Sequence, residues 1–125
     1  MILDTCALLW LAHGRDKLSR AALDEIRESP FIYVSVISGF EIAYKVGKGN
    51  LSLPRTPREW FDGIVEQHGL TVLPLDLNVC ITAAQLPPIH HDPCDRFIIA
   101  TAKLNNLAVV TSDERFEEYG VRTLL

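Results

Sequence analysis

Met1-Ile2-Leu3-Asp4-Thr5-Cys6-Ala7-Leu8-Leu9-Trp10-Leu11-Ala12 opens the chain and holds the pattern on which the fold turns. Three apolar residues suited to a buried strand stop at an acid. Leu8, Leu9, Leu11 and Ala12 then mark a short helix. Similar alternations follow downstream. Strand-like runs are expected at Phe31–Val36, Leu70–Leu75, Ala108–Thr111 and Val121–Leu124. Helical spacing appears in Leu18, Ala21, Ala22, Leu23 and Ile26, and again in Phe40, Ile42, Ala43 and Val46, closing at Gly47 or Gly49. Further helices are expected over Arg58–Gln67 behind Pro57, and over Asn78–Leu86 up to Pro87-Pro88. The last long one runs through Phe97–Leu104 to Asn105-Asn106. Strands alternating with helices, without a hairpin signal, predict a parallel sheet covered on both faces. Such sheets gather ligands beyond the carboxyl ends of their strands, which directs attention to the residues just after each strand.

The bulk composition agrees with a globular chain. At 125 residues it is the length of one domain, spanning 1–125, able to bury a core without disulfides. No apolar run approaches the roughly 20 residues of a membrane span, so no membrane partner is expected. The start has neither a basic region nor a long apolar one, and no secretion signal is read there, although so short a first strand leaves room for residues upstream. Cys6, Cys80 and Cys94 are odd in number and widely spaced, as reduced cytoplasmic thiols are. A net charge of −4 speaks against a simple phosphate-binding surface, yet twelve basic residues remain, some clustered as Arg15/Lys17/Arg20 and Lys45/Lys48.

Four carboxylates stand where strands end or helices begin, and each has a plain structural alternative. Asp4 is also a good helix N-cap, a role that contributes about 0.5–2 kcal/mol. Glu41 lies in Ser38-Gly39-Phe40-Glu41, a capping-box pattern, and four residues before Lys45, the favourable order for a helical ion pair. In Asp92-Pro93-Cys94-Asp95, Asp92 reads as the cap and Asp95 as the third helical residue, at the mouth of a helix apolar nearly all round. Asp113, after Thr111-Ser112, suits a turn residue capping a short Glu114–Tyr119 helix.

Together they say more. Two carboxylates 4 Å apart repel by roughly 4 kcal/mol at an effective dielectric near 20. A fold that gathers three or four needs a compensating cation, and an oxygen-rich site suits Mg²⁺ or Mn²⁺. No Cys/His set is evident for zinc. His90 and His91 could ligate metal but read rather as exposed loop residues ahead of a helix, Arg96 as a partner in a structural ion pair ahead of a phosphate contact, and Lys45 and Lys48 as solvated lysines.

The motifs Leu3-Asp4-Thr5-x-Ala7-Leu8-Leu9-Trp10, Val34-Ser35-x-x-Ser38-x-x-Glu41-Ile42, His90-His91-Asp92-Pro93-x-Asp95-Arg96 and Val110-Thr111-Ser112-Asp113, with Phe116 and Tyr119, span nearly the whole chain. In this order they resemble PIN domains, and more closely the VapC-type toxins of type II toxin–antitoxin systems. The resemblance implies a three-layer α/β/α sandwich and a Mg²⁺-dependent endoribonuclease that hydrolyses RNA with metal-activated water. It also implies a cognate antitoxin that plugs the site, and a homodimer. It maps the acidic set onto Asp4, Glu41, Asp95 and Asp113, with Asp4 and Asp95 as the direct metal ligands and Thr5 and Thr111 as supporting hydroxyls. Cys6, Gly39-Phe40 and Cys94 depart from the family's usual histidine, Leu-Trp pair and phenylalanine; none of these removes a carboxylate.

Two other classes compete. An aspartyl phosphatase would place its nucleophile at Asp4, but such enzymes carry a second Asp two residues on, where this chain has Cys6. A catalytically silent module binding RNA or protein would share the fold but is expected to lack a member of the acidic set.

Overall fold

A computed structural model describes every residue from Met1 to Leu125. Five parallel strands form one sheet: β1 Ile2–Leu3, β2 Tyr33–Ser35, β3 Thr71–Leu73, β4 Val109–Val110 and β5 Thr123–Leu124, in the order β3-β2-β1-β4-β5. All are shorter than their apolar runs suggest, because pairing ends where the flanking residues turn into helices or loops. β1 lies at the centre, with Ile2 opposite Tyr33 on one side and Val109 on the other.

Six α-helices connect and cover the sheet: α1 Thr5–His13, α2 Arg20–Glu28, α3 Val36–Gly47, α4 Pro57–His68, α5 Leu77–Gln85 and α6 Pro93–Asn105. Two 3-10 helices, Arg15–Lys17 and Glu114–Tyr119, complete the set. Alternate strand residues point to opposite faces, so a strand buried on both sides must be apolar throughout. Ile2 and Val109 accordingly join one core, with Val79 and Ala83 of α5, Ile98, Ile99 and Ala102 of α6, and Phe116. Leu3, Val34 and Val110 join the other, with Leu8 and Leu11 of α1, Trp60 and Ile64 of α4, and Leu18. This is the expected α/β/α sandwich. α3 serves both layers, Ile37 packing into the first core and Ile42 into the second.

Local chemistry fixes the helix ends. Ser19 and Thr56 cap α2 and α4, with Pro57 in the first turn of α4. Gly69, at φ 61°, closes α4 in the left-handed region where a side chain is unfavourable; Asn106 does the same for α6 at φ 53°. α5 stops at Gln85 before Pro87-Pro88, with no basic residue in its last turn. Its end is therefore short of donors.

Strand order reverses between β1 and β4. Asp4 and Asp113 lie just beyond the carboxyl ends of those two neighbours, at the crevice where sheets of this kind hold ligands.

Candidate active site

Asp4 serves as cap and as site residue. Its Oδ1 accepts from the Ala7 N–H at 2.7 Å, opening α1. A cap alone can sit in solvent, yet Asp4 is only 6% exposed. Burial pushes its carboxyl above the usual range and Glu41 and Asp113 push the same way, while hydrogen bonds from Thr111 and Ala7 oppose them. Next to it, Thr5 Oγ1 meets Ser38 Oγ at 2.9 Å, tying α1 to α3 inside the protein.

That contact corrects the capping box expected at Ser38. α3 begins directly from β2, and Ser35 caps it by accepting from the Ile37 N–H at 3.1 Å. Ser38 is turned inward to Thr5, and Glu41 lies in the second turn. The ion pair with Lys45 is present, Oε2 to Nζ at 3.1 Å. The other oxygen, Oε1, is buried without any hydrogen-bond partner. An orphan carboxylate oxygen is costly to bury, so its surroundings call for a cation.

Asp92 caps α6 through the Cys94 N–H at 2.9 Å, with Pro93 leading the helix and Asp95 two residues on, as expected. Burial, followed by repulsion from Asp92, Glu41, Asp4 and Asp113, lifts the Asp95 carboxyl to about 7. Asp113 lies at the other extreme. It caps the Glu114–Tyr119 turn, and Arg115 grips it at 3.0 Å from Nε and 2.8 Å from Nη2, holding it down at about 2. Thr111 Oγ1 accepts from the Asp113 N–H at 3.1 Å. The structure thus brings Asp4, Glu41, Asp95 and Asp113 into one electrostatic neighbourhood, with Thr5 and Thr111 beside it.

Two further expectations fail. His90 is not an exposed loop residue: it is 1% exposed, packed edge-on against Phe116, with Nε2 2.9 Å from Asp113 and 3.0 Å from Asp95. Its nitrogen and those carboxylate oxygens all lie within 4.8 Å of one another. His91 does remain exposed. Arg96 makes no ion pair. Its guanidinium donates instead to the carbonyls of Ala83, Leu86, Pro87 and His90 at 2.7–3.1 Å, filling the donor shortage at the end of α5.

A hard divalent cation fits this donor set. The residues offer carboxylate oxygens, one of them orphaned and two belonging to acids raised by burial and, after it, by neighbouring carboxylates. Thiolate ligation is disfavoured, since burial and the neighbouring acids push the Cys94 thiol up to about 11 and raise Cys6 as well. The fixed cations, Lys45 on Glu41 and Arg115 on Asp113, stand at the margins.

A crossover-reversed parallel sheet with an acidic cluster at its switch point is the class of protein described so far, and the sequence comparison agrees. Residues 1–121 match the model of the PIN domain family, to which the chain belongs. It is 31% identical over 120 residues to Ribonuclease VapC22 of Mycobacterium tuberculosis (strain ATCC 25618 / H37Rv), covering 95% of this chain and 91% of that protein. The fold is shared with the crystal structure of DNA-bound VapBC from Salmonella typhimurium, at TM-score 0.72 and 22% identity over 98% of this chain and 94% of that one. It is shared also with VapBC2 from Rickettsia felis bound to a promoter DNA fragment, at TM-score 0.72 and 15% identity over 98% and 95%. FitAcB from Neisseria gonorrhoeae matches at TM-score 0.66 and 22% identity over 99% and 96%.

Proposed function

We propose that the chain is a metal-dependent endoribonuclease, the toxin of a type II toxin–antitoxin pair. The observation carrying the proposal is the gathering of Asp4, Glu41, Asp95 and Asp113 at the switch point, with Glu41 Oε1 buried and unpartnered. The 31% identity to Ribonuclease VapC22 supports RNA as the substrate class. Asp4 and Asp95 would hold the cation directly, with Asp113 and Glu41 completing the set; Mg²⁺ is the expected ion and Mn²⁺ a substitute. Bound there, a divalent cation supplies Lewis acidity toward a phosphate oxygen and makes water acidic enough to attack near neutral pH. The protein's own contribution is to position. The Ala7 N–H and the Thr111 hydroxyl aim the Asp4 carboxylate, the Thr5–Ser38 contact fixes α3 and hence Glu41, and Lys45 and Arg115 restrain the outer acids.

A protein partner and a homodimer belong to the same proposal. α3 presents Val36, Phe40 and Tyr44 to solvent, and Val36 and Phe40, with Phe61 of α4 and Val72 of β3, line an apolar groove. Exposed apolar surface of this kind marks an interaction site, here for the antitoxin or a second copy. No helix is long and apolar enough to cross a membrane. Free cysteines accord with a cytoplasmic setting.

The test is cleavage of total RNA by the purified protein, free of any partner, with Mg²⁺, Mn²⁺ or EDTA, beside Asp4→Asn and Asp95→Asn. Discrete fragments that require metal and vanish in both variants are expected. Wild-type turnover by either variant overturns the assignment, and folded wild-type protein that cuts no RNA under any divalent metal shifts it to a silent binding module.

A further inference from the structure

Every polar atom of His90 is already committed. Its backbone N–H donates to Tyr119 Oη at 2.7 Å, and its carbonyl accepts from Arg96 Nη1 at 3.0 Å. On the ring, Nδ1 accepts from the Asp92 N–H at 3.2 Å. An imidazole nitrogen that accepts carries no proton, so the ring's hydrogen is on Nε2. Nε2 faces Asp113 Oδ2 at 2.9 Å and Asp95 Oδ2 at 3.0 Å. The ring therefore has no lone pair to offer a cation, although it touches two of the acids that would bind one.

We infer that His90 is a positioning residue rather than a metal ligand: as its Nε2–H tautomer it is wedged between Asp95 and Asp113 and fixes how those carboxylates face one another. The inference rests on the metal-site reading above. Its scaffold is unusually complete for a loop residue. Tyr119 donates to the Pro87 carbonyl at 2.7 Å, Arg96 grips the carbonyls of Leu86, Pro87 and His90, and Phe116 closes the ring's flank at 5.8 Å between centroids. α6 supplies Asp95 and Arg96 side by side, so one helix sets both the carboxylate and the clamp on the residue that orients it. This is the arrangement of an outer-shell partner, whose loss typically weakens metal binding by about 10–100-fold.

The test uses the full-length protein with Mn²⁺ as a binding probe and ring ¹⁵N NMR as the structural readout. In the metal-free protein His90 should show a protonated Nε2 and a bare Nδ1, and the same tautomer should persist when Mg²⁺ is added. His90→Phe keeps the ring and removes the donor; its Mn²⁺ dissociation constant should rise about 10–100-fold. His90→Gln returns an N–H to the place of Nε2 and should recover most of that loss. A proton on Nδ1, loss of the Nε2 proton as metal binds, or unchanged Mn²⁺ affinity in the Phe variant overturns the inference. So does a Gln variant as weak as Phe. If His90→Phe does not fold, the wild-type spectrum and the Gln variant decide. None of these readouts needs RNA, so a protein that meets them and cuts no RNA sinks the nuclease proposal alone.

Discussion

Asp95→Asn should make the metal-free protein more stable at pH 8 while leaving it almost unchanged at pH 4. In the folded chain the Asp95 carboxyl is lifted from 3.8 to about 7. The folded state thus keeps a proton that the unfolded state has lost, and wild-type stability falls as pH rises from about 4 to about 7, then levels off. Three decades of proton affinity, at about 1.4 kcal/mol each, set an upper limit of about 4 kcal/mol. The side chain is 20% exposed, and the Asn must rebuild its contact with His90 Nε2, so about half of that limit is expected. For a chain of this size a gain of about 2 kcal/mol raises Tm by roughly 8 °C. Circular dichroism melts in EDTA across pH 4–8 measure it directly. Mg²⁺ should erase the difference by stabilising wild type and not the variant. Equal or lower stability of Asp95→Asn at pH 8, or the same gain at pH 4, would show that burial and the neighbouring acids do not strain this carboxylate.

Three other expectations concern the scaffold. Arg96→Ala strands several carbonyls at the end of α5 and in the following loop, and urea titration should show a loss of about 3 kcal/mol or more, with Arg96→Lys recovering only part because an ammonium cannot reproduce the fork. A double-mutant cycle of Thr5→Val and Ser38→Ala should give a coupling of about 1 kcal/mol; a coupling of zero would mean the contact between α1 and α3 is incidental. Arg115→Ala should move the Asp113 carboxyl titration, followed by carbon NMR, up from about 2 toward 3.8. Because a depressed carboxyl contributes stability that is lost as pH falls toward 2, the variant's acid unfolding should come at higher pH.

Much of the site was legible because its signals are local. Asp4 after an apolar triplet, and Asp92-Pro93 two residues before Asp95, each announce a helix start, and parallel-sheet topology puts helix starts at the strands' carboxyl ends. Choosing between Ser35 and Ser38 as the cap of α3 was harder. Both precede good helical sequence, and the choice depends on where β2 stops pairing and on Thr5, 33 residues away. The burial of His90 was equally hidden, since Phe116 and Tyr119 cover it from more than twenty residues downstream. A clue was available in those two aromatics: Phe116 interrupts and Tyr119 ends the otherwise charged run Glu114–Glu118, and both had to pack against something. Arg96 had a clue as well. A helix stopped by Pro87-Pro88, with neither Gly nor a basic residue at its end, leaves carbonyls in want of a distant donor.

The central place of β1 bears on how the protein comes into being. β1 leaves the ribosome well before its neighbour in the sheet, β4, which begins at Val109. At 5–20 residues per second, the gap between the two is roughly 5 to 20 s. Asp95 and Asp113 arrive in the same final stretch, so a growing chain carries Asp4 and Glu41 without the other half of the pocket. The acidic cluster can close only once the stretch from Asp95 to Asp113 has been made, and a chain that stops before it holds half of the set.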